Sequence, residues 1–325
     1  MKRNFSLICA AGAMLCLIFA SSEALESARY GLSLCVELIM PSLLPFFTVS
    51  ILLTRLGLPQ VLGKLLGPAA HRLWGVSGAG ASAFLAGICG GYPLGAQYVA
   101  ELYSAGAVER DEAERLLRFC SNSGPSFIIG AVGAGVFSSS AAGVILYLVH
   151  ISAAALTGML FRKSSVSASE VLSGSYSEVQ FGAALVYSVR QAVSAVLSVC
   201  GFVVCFCVFG GLIESLGLFD IAADLMCRLP MIDGPSARAL LWGLLELGSG
   251  AGALRALPLC PQSLSLAAFL IGWGGLSVQF QTMAVLDGTD LSSRPHLTGR
   301  ITSAFISALL ALAVGRVFLP PQLCL

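Results

Sequence analysis

Residues 79–104 read AGASAFLAGICGGYPLGAQYVAELYS, an apolar segment broken at its centre by Gly90-Gly91-Tyr92-Pro93-Leu94-Gly95. Glycine and proline at that density release backbone groups from a helical ladder. In hydrocarbon such groups persist only where protein or a polar cavity satisfies them. The segment is therefore expected to enter a bilayer as a re-entrant hairpin. A second segment, 239–257, carries Glu246-Leu247-Gly248-Ser249-Gly250 and reads the same way. Two further breaks interrupt apolar runs: Ser121-Asn122-Ser123-Gly124-Pro125, and Gly272-Trp273-Gly274-Gly275-Leu276-Ser277, the latter followed by Gln279 and Gln281.

Around these breaks the composition leaves little choice of class. Hydrophobic residues make up 57% of the 325 residues and charged residues only 11%, with a mean hydropathy of +0.88. A soluble chain carries about a quarter charged residues. The apolar runs approach the ~20 residues a spanning helix needs and show no period-two alternation, so the spans are helices. Complete spans are expected at 4–22, 38–56, 119–137, 141–161, 193–214, 264–286 and 300–318. The fold class is all-α integral membrane, with about seven transmembrane helices plus two re-entrant hairpins. Residues 1–24 form a first transmembrane helix, although Lys2 and Arg3 ahead of the run from Phe5 to Ala20 also have the look of a signal peptide. Between spans lie an amphipathic stretch (59–75), a charged stretch (109–118) and a serine-rich linker.

With a cytoplasmic N-terminus, this layout places on the outer side Arg29, Arg228, Arg238, Arg255 and Arg316. The remaining thirteen of the eighteen Lys and Arg, Arg300 among them, fall on the cytoplasmic side, as the positive-inside rule asks. The net charge of +1 and the absence of a basic run give no footprint for nucleic acid. The eleven cysteines form no CxxC pair, so no metal site or cofactor is expected, and they read as small buried hydrophobes. There is no HExxH, no paired intramembrane aspartate and no base near Ser121 or Ser123 in the chain. An enzyme with catalytic residues is not expected.

The chain also repeats itself. Ser27-x-Arg29-x-x-x-Ser33 recurs as Ser188-x-Arg190-x-x-x-Ser194, an offset of 161, and Leu56-Gly57-Leu58 recurs as Leu216-Gly217-Leu218, an offset of 160. Two breaks follow in each half. An odd number of spans per half turns the second copy upside down, an inverted-topology repeat with broken helices, the plan of many secondary transporters. Half-helix N-termini at the midplane suit an anionic or strongly polar small-molecule solute. Glu246, an isolated carboxylate in an apolar segment, is the expected ion-coupling residue. His150 reads as a hydrogen-bonded packing residue, and Glu37, ahead of Pro41 and Pro45, as the start of a helix.

The runs PSLLPFF (41–47), AGICGGYPLGAQ (86–97), CSNSGPSFIIGAVGAGVF (120–137), LLELGSGA (244–251) and FLIGWGGLSVQFQ (269–281) resemble the sporulation integral membrane protein family of the YlbJ type. That family falls in the broader nucleoside-recognition, or Gate, domain group, which more distantly includes concentrative nucleoside transporters. The resemblance implies a first Gate-like repeat at 25–162, a polar cytoplasmic linker at 163–185 and an inverted second repeat at 186–325. It further implies transport of dipicolinate, a small aromatic dicarboxylate, across the outer forespore membrane. Tyr92, Asn122, Ser123, Glu246, Ser277 and Gln279 are the motif-matched candidates, and Gly91, Gly95, Gly124, Gly248, Ser249 and Gly275 complete the expected substrate-binding set. A non-transporting sporulation assembly factor, or a carrier of a nucleoside-like solute, stays open at this point. The lipid bilayer is the other expected partner, and a homo-oligomer is compatible with the pattern.

Overall fold

The computed structural model describes residues 2–163, 180–228 and 232–319. Among them all regular structure is helical, with no strand. Helix α1 (Lys2–Phe19) leads into α2, which runs unbroken from Ser21 to Arg55. The residues that precede Pro41 widen into a π turn at Cys35–Ile39. Proline has no N–H and its ring crowds the preceding turn, and a π-bulge relieves that conflict without ending the helix. The Ser42 hydroxyl donates to the Leu38 carbonyl at 2.6 Å. Glu37 therefore lies inside a helix, in its π turn, and does not start one. The expected span 38–56 is the second part of a 35-residue helix.

Gly57, in the left-handed region, ends α2 and starts the amphipathic helix α3 (Leu58–Trp74). Next come α4 (Gly78–Gly90), bent 94° from α3, and α5 (Leu94–Ser104), packed back against α4 as the first hairpin. A short helix α6 (Arg110–Leu116) is followed by non-helical backbone at 120–124, then the π-helical α7 (Ser126–Val136) and α8 (Ser140–Leu160). The expected span 119–137 is thus a broken element, because Asn122, Ser123 and Pro125 stop the ladder before its second half.

The second half follows the same order. Helix α9 (Phe181–Ser215) is also 35 residues long and is also ended by a left-handed glycine, Gly217, 160 residues after Gly57. Helices α10 (Leu218–Met226), α11 (Gly234–Leu245) and α12 (Leu247–Ala253) come next, the last two forming the second hairpin. Then α13 (Pro261–Trp273) and α14 (Gly275–Leu286) make one broken span, and α15 (Arg294–Phe318) closes the core against α13 and α8. Five helices among the described residues are long and apolar enough to cross a membrane, or six with the bent pair α3–α4 counted as one span. Most of the linker at 163–185 lies outside the described residues.

Indole and phenol groups tie the hairpins to this frame. Tyr147 donates to the Ile88 carbonyl at 2.9 Å and Trp273 to the Leu244 carbonyl at 3.0 Å. A polar latch joins the halves at the loop before α15. The Tyr103 hydroxyl donates to Asp290 at 2.7 Å, Arg110 reaches the same carboxylate at 3.3 Å and its backbone carbonyl at 2.8 Å, and Ser292 N–H donates to Glu114. The Tyr103 hydrogen bond, helped by Arg110, holds the Asp290 carboxyl below its usual 3.8. A depressed carboxylate contributes stability above its unfolded value and loses it as pH falls through the folded one. The latch is therefore expected to be indifferent to pH from neutral down to about 5 and to fail only in stronger acid. Thermal unfolding of wild type and Asp290→Asn measures this: the two midpoints should differ slightly at neutral pH and converge on acidification. A gap that widens as pH falls contradicts the latch.

Candidate functional site

Each break is fixed by a specific backbone or side-chain device. At the first hairpin tip Gly91 adopts φ +88°, and a Cβ there would lie 2.9 Å from the backbone nitrogen of Gly124. Only glycine takes that conformation at that separation, so the first and second breaks touch. At the second break, His150 Nε2 accepts the Ser123 N–H at 3.1 Å, and Asn122 Nδ2 donates to the Phe119 carbonyl at 2.8 Å. His150 is thus the packing histidine expected, and its role is definite. It satisfies a backbone donor that the interrupted helix leaves over.

Glu246 is not inside a helix. It is the second hairpin's tip, in extended conformation (φ −142°, ψ +123°), and it caps α12. Its two carboxylate oxygens accept the N–H groups of Gly248 at 2.8 Å and Ser249 at 2.5 Å. At the fourth break, Gly274 and Gly275 both take φ +83°, and a Cβ on Gly275 would meet the backbone of Leu245, Glu246 and Leu247. The third and fourth breaks are therefore also in contact. Tyr92 bridges the two halves, because its hydroxyl donates to the Ile271 carbonyl at 3.1 Å just ahead of the fourth break.

All four breaks surround one cavity of about 60 Å³. Tyr92, Ser123, Gly124, Glu246, Gly248, Ser277 and Gln281 supply its polar wall, and Ile39, Leu43, Phe127, Val199 and Val203 its apolar wall. This volume has room for only a few waters. Around it, the N-termini of α5, α7 and α14 carry no side-chain cap, whereas that of α12 is already occupied by Glu246. Three of the four half-helix N-termini are thus free of a side-chain cap.

Of the twelve residues expected at the site, six line the cavity: Tyr92, Ser123, Gly124, Glu246, Gly248 and Ser277. Gly91, Gly95 and Gly275 serve close backbone packing. Asn122 is enclosed beside Phe119. Gln279 turns to His296, whose Nδ1 lies 2.7 Å from Gln279 Oε1 and whose Nε2 lies 3.3 Å from the Thr282 hydroxyl. Ser249 opens onto a second, larger cavity of about 590 Å³ with Glu23, Glu26, Tyr30 and Glu214.

Sequence reasoning missed Arg300. Counted among cytoplasmic charges, it is fully buried, its Nη1 donating to the Tyr92 hydroxyl at 2.8 Å and its Nη2 to the Arg118 carbonyl at 3.2 Å. A signal was present: His296, Arg300, Ser303 and Ser307 recur at i, i+4, i+7 and i+11, one face of a helix.

No family model matches the chain. The sporulation integral membrane protein YlbJ of Bacillus subtilis (strain 168) is 29% identical over 319 aligned residues, which cover 90% of this chain and 77% of the relative. The chain is similar to the YlbJ type over most of its length. Its fold is shared more widely. A substituted form of CNTnw in an outward-facing state superposes with a TM-score of 0.51 at 14% identity, covering 96% of this chain and 84% of that one. CNTnw in an inward-facing, substrate-bound state gives 0.48 at 16% identity, covering 95% and 83%. The chain is accordingly a multi-pass, all-helical integral membrane protein with broken helices.

Proposed function

We propose that this protein is a secondary carrier of a small anionic or polar solute, working by alternating access around its broken helices. The solute we assign is dipicolinate, carried across the outer forespore membrane during sporulation. The observation that carries the reading is the convergence of four breaks, two from each half of the chain, on one cavity. A scaffold needs no such convergence. A hydrolytic enzyme needs a nucleophile beside a base, and the nearest histidine, His150, is engaged by the Ser123 backbone instead of its hydroxyl. A cavity polar on one wall and apolar on the other suits a flat aromatic ring with charged ends. Its small volume means that the hairpins part from the long helices to admit a solute, and the left-handed glycines at the ends of α2 and α9 are natural hinges. The similarity to a sporulation membrane protein supports the sporulation setting, and the family resemblance carried by the sequence motifs supports the choice of solute.

The test is uptake of labelled pyridine-2,6-dicarboxylate by liposomes containing the purified protein. Saturable uptake, competed by unlabelled compound, is expected. Uptake no greater than that of protein-free liposomes overturns the carrier reading. Deletion of the gene in its host checks the setting, because spores of normal dipicolinate content would rule out a role in supplying it.

A further inference from the structure

We infer that Arg300 is the charge-selecting residue of the carrier, favouring a carboxylate-bearing solute over a neutral one of the same shape. The inference rests on the transport reading above. A guanidinium stays protonated in any protein environment, and burying a charge without a counter-charge is costly enough that such residues in membranes mark solute or ion pathways. Arg300 is fully buried, and among the described residues no carboxylate lies within ion-pairing distance of it. Its two hydrogen-bond acceptors, the Tyr92 hydroxyl and the Arg118 carbonyl, are both neutral. Its Nε has no partner.

The two carboxylates buried among the described residues are committed elsewhere: Glu112 accepts the Ser77 N–H at 2.6 Å and Glu246 caps α12. The His296 ring one turn away is engaged by Gln279 and Thr282 and brings no negative charge. Along the same face the hydroxyls of Ser303 and Ser307 are buried and also without partners, so the polar stripe on α15 is not a self-satisfied network.

A single side chain, Tyr92, touches Arg300 with its hydroxyl and also lines the cavity. In a low-dielectric interior the positive charge reaches through that side chain to bias the cavity toward an anion. The unpartnered Nε and the Nη2 N–H beside it form the fork of donors that a carboxylate takes up once the hairpin tip moves. A purely structural clamp would need only two neutral hydrogen bonds and would leave charge selection unaffected.

The experiment compares two probes of the same shape in proteoliposomes of the full chain: pyridine-2,6-dicarboxylate and the neutral pyridine-2,6-dicarboxamide. In Arg300→Gln, dicarboxylate uptake per unit concentration should fall about tenfold to a hundredfold, the range of a lost charged hydrogen bond, while diamide uptake holds or rises. Arg300→Lys keeps the charge without the fork and should retain the preference at reduced rate. An Arg300→Gln protein that elutes as the wild type does and loses both probes in proportion, or keeps its selectivity, overturns the inference. If Arg300→Gln does not fold, the lysine variant decides, and loss of preference in a folded Arg300→Lys protein is equally fatal. Wild-type protein carrying neither probe defeats the carrier reading and this inference with it. Wild type and Arg300→Gln both preferring the anion defeats this inference alone.

Discussion

Replacing Gly95 with alanine is expected to lower the thermal unfolding midpoint of the purified protein substantially and to abolish uptake with it. Gly95 opens the returning arm of the first hairpin, and a Cβ there would press into the carbonyl oxygen of Cys120 while standing 2.9 Å from the Cα of Gly87. Both obstacles are backbone, so no side chain can swing aside. Gly87 meets the same carbonyl from the opposite arm, and the pair grips the start of the second break. Forcing a methyl group into such a contact costs about 1–3 kcal/mol, sometimes more. The strain would also separate Gly91 from Gly124 and open the cavity wall. Gly201→Ala is the matched control: it lies within α9, has nothing within 4 Å of its Cβ position, and should be neutral or stabilising by up to ~1 kcal/mol. Fluorescence-detected size exclusion after heating reads both. A Gly95→Ala protein as stable as wild type, with altered uptake alone, would return Gly95 to the role of solute contact.

That residue marks the boundary between what sequence reading reaches and what it does not. Apolar runs interrupted by Gly-Tyr-Pro and Leu-Gly-Ser-Gly identify the two hairpins, because the energetic penalty for free backbone in lipid leaves few alternatives. The left-handed glycines Gly57 and Gly217 are visible as an offset of 160. The true start of α2 is hidden, since Glu23, Glu26 and Arg29 on its first turns lower the local hydropathy although the helix runs on through them. Arg300 stands at the edge of an apolar run, where a charge reads as a boundary marker. Its burial comes from the packing of α15 against α13 and α8, which no local window encodes. Glycines at the breaks read as solute contacts because a composition count cannot tell close backbone approach from an open pocket. Six of the twelve residues expected at the site line the cavity, and the side chains among them, Tyr92, Ser123, Glu246 and Ser277, are those with polar groups to offer.

Glu246 gives the sharpest separation between a structural and a coupling role. Its carboxylate is the acceptor for two backbone N–H groups at a buried hairpin tip, and α12 is only seven residues long, too short to hold itself together. Glu246→Ala leaves both donors unpaired where water is scarce, at about 1–3 kcal/mol for each such group. The tip should loosen and uptake should fall below detection. Glu246→Gln is nearly isosteric and tests charge against geometry. Its amide oxygen can take one N–H, but its NH2 then faces the other, donor against donor, so the variant should destabilise almost as much as alanine. Glu246→Asp keeps an ionisable acceptor of a type well suited to capping and should recover most of the unfolding midpoint and part of the uptake. A residue that only carried a coupling ion would behave otherwise: Gln would fold as wild type and lose accumulation while still exchanging solute. The order of unfolding midpoints, wild type above Asp, and Asp above Gln and Ala, is the expected result. A Gln variant that melts with wild type but no longer concentrates solute would make Glu246 a coupling residue and leave α12 held by its packing alone.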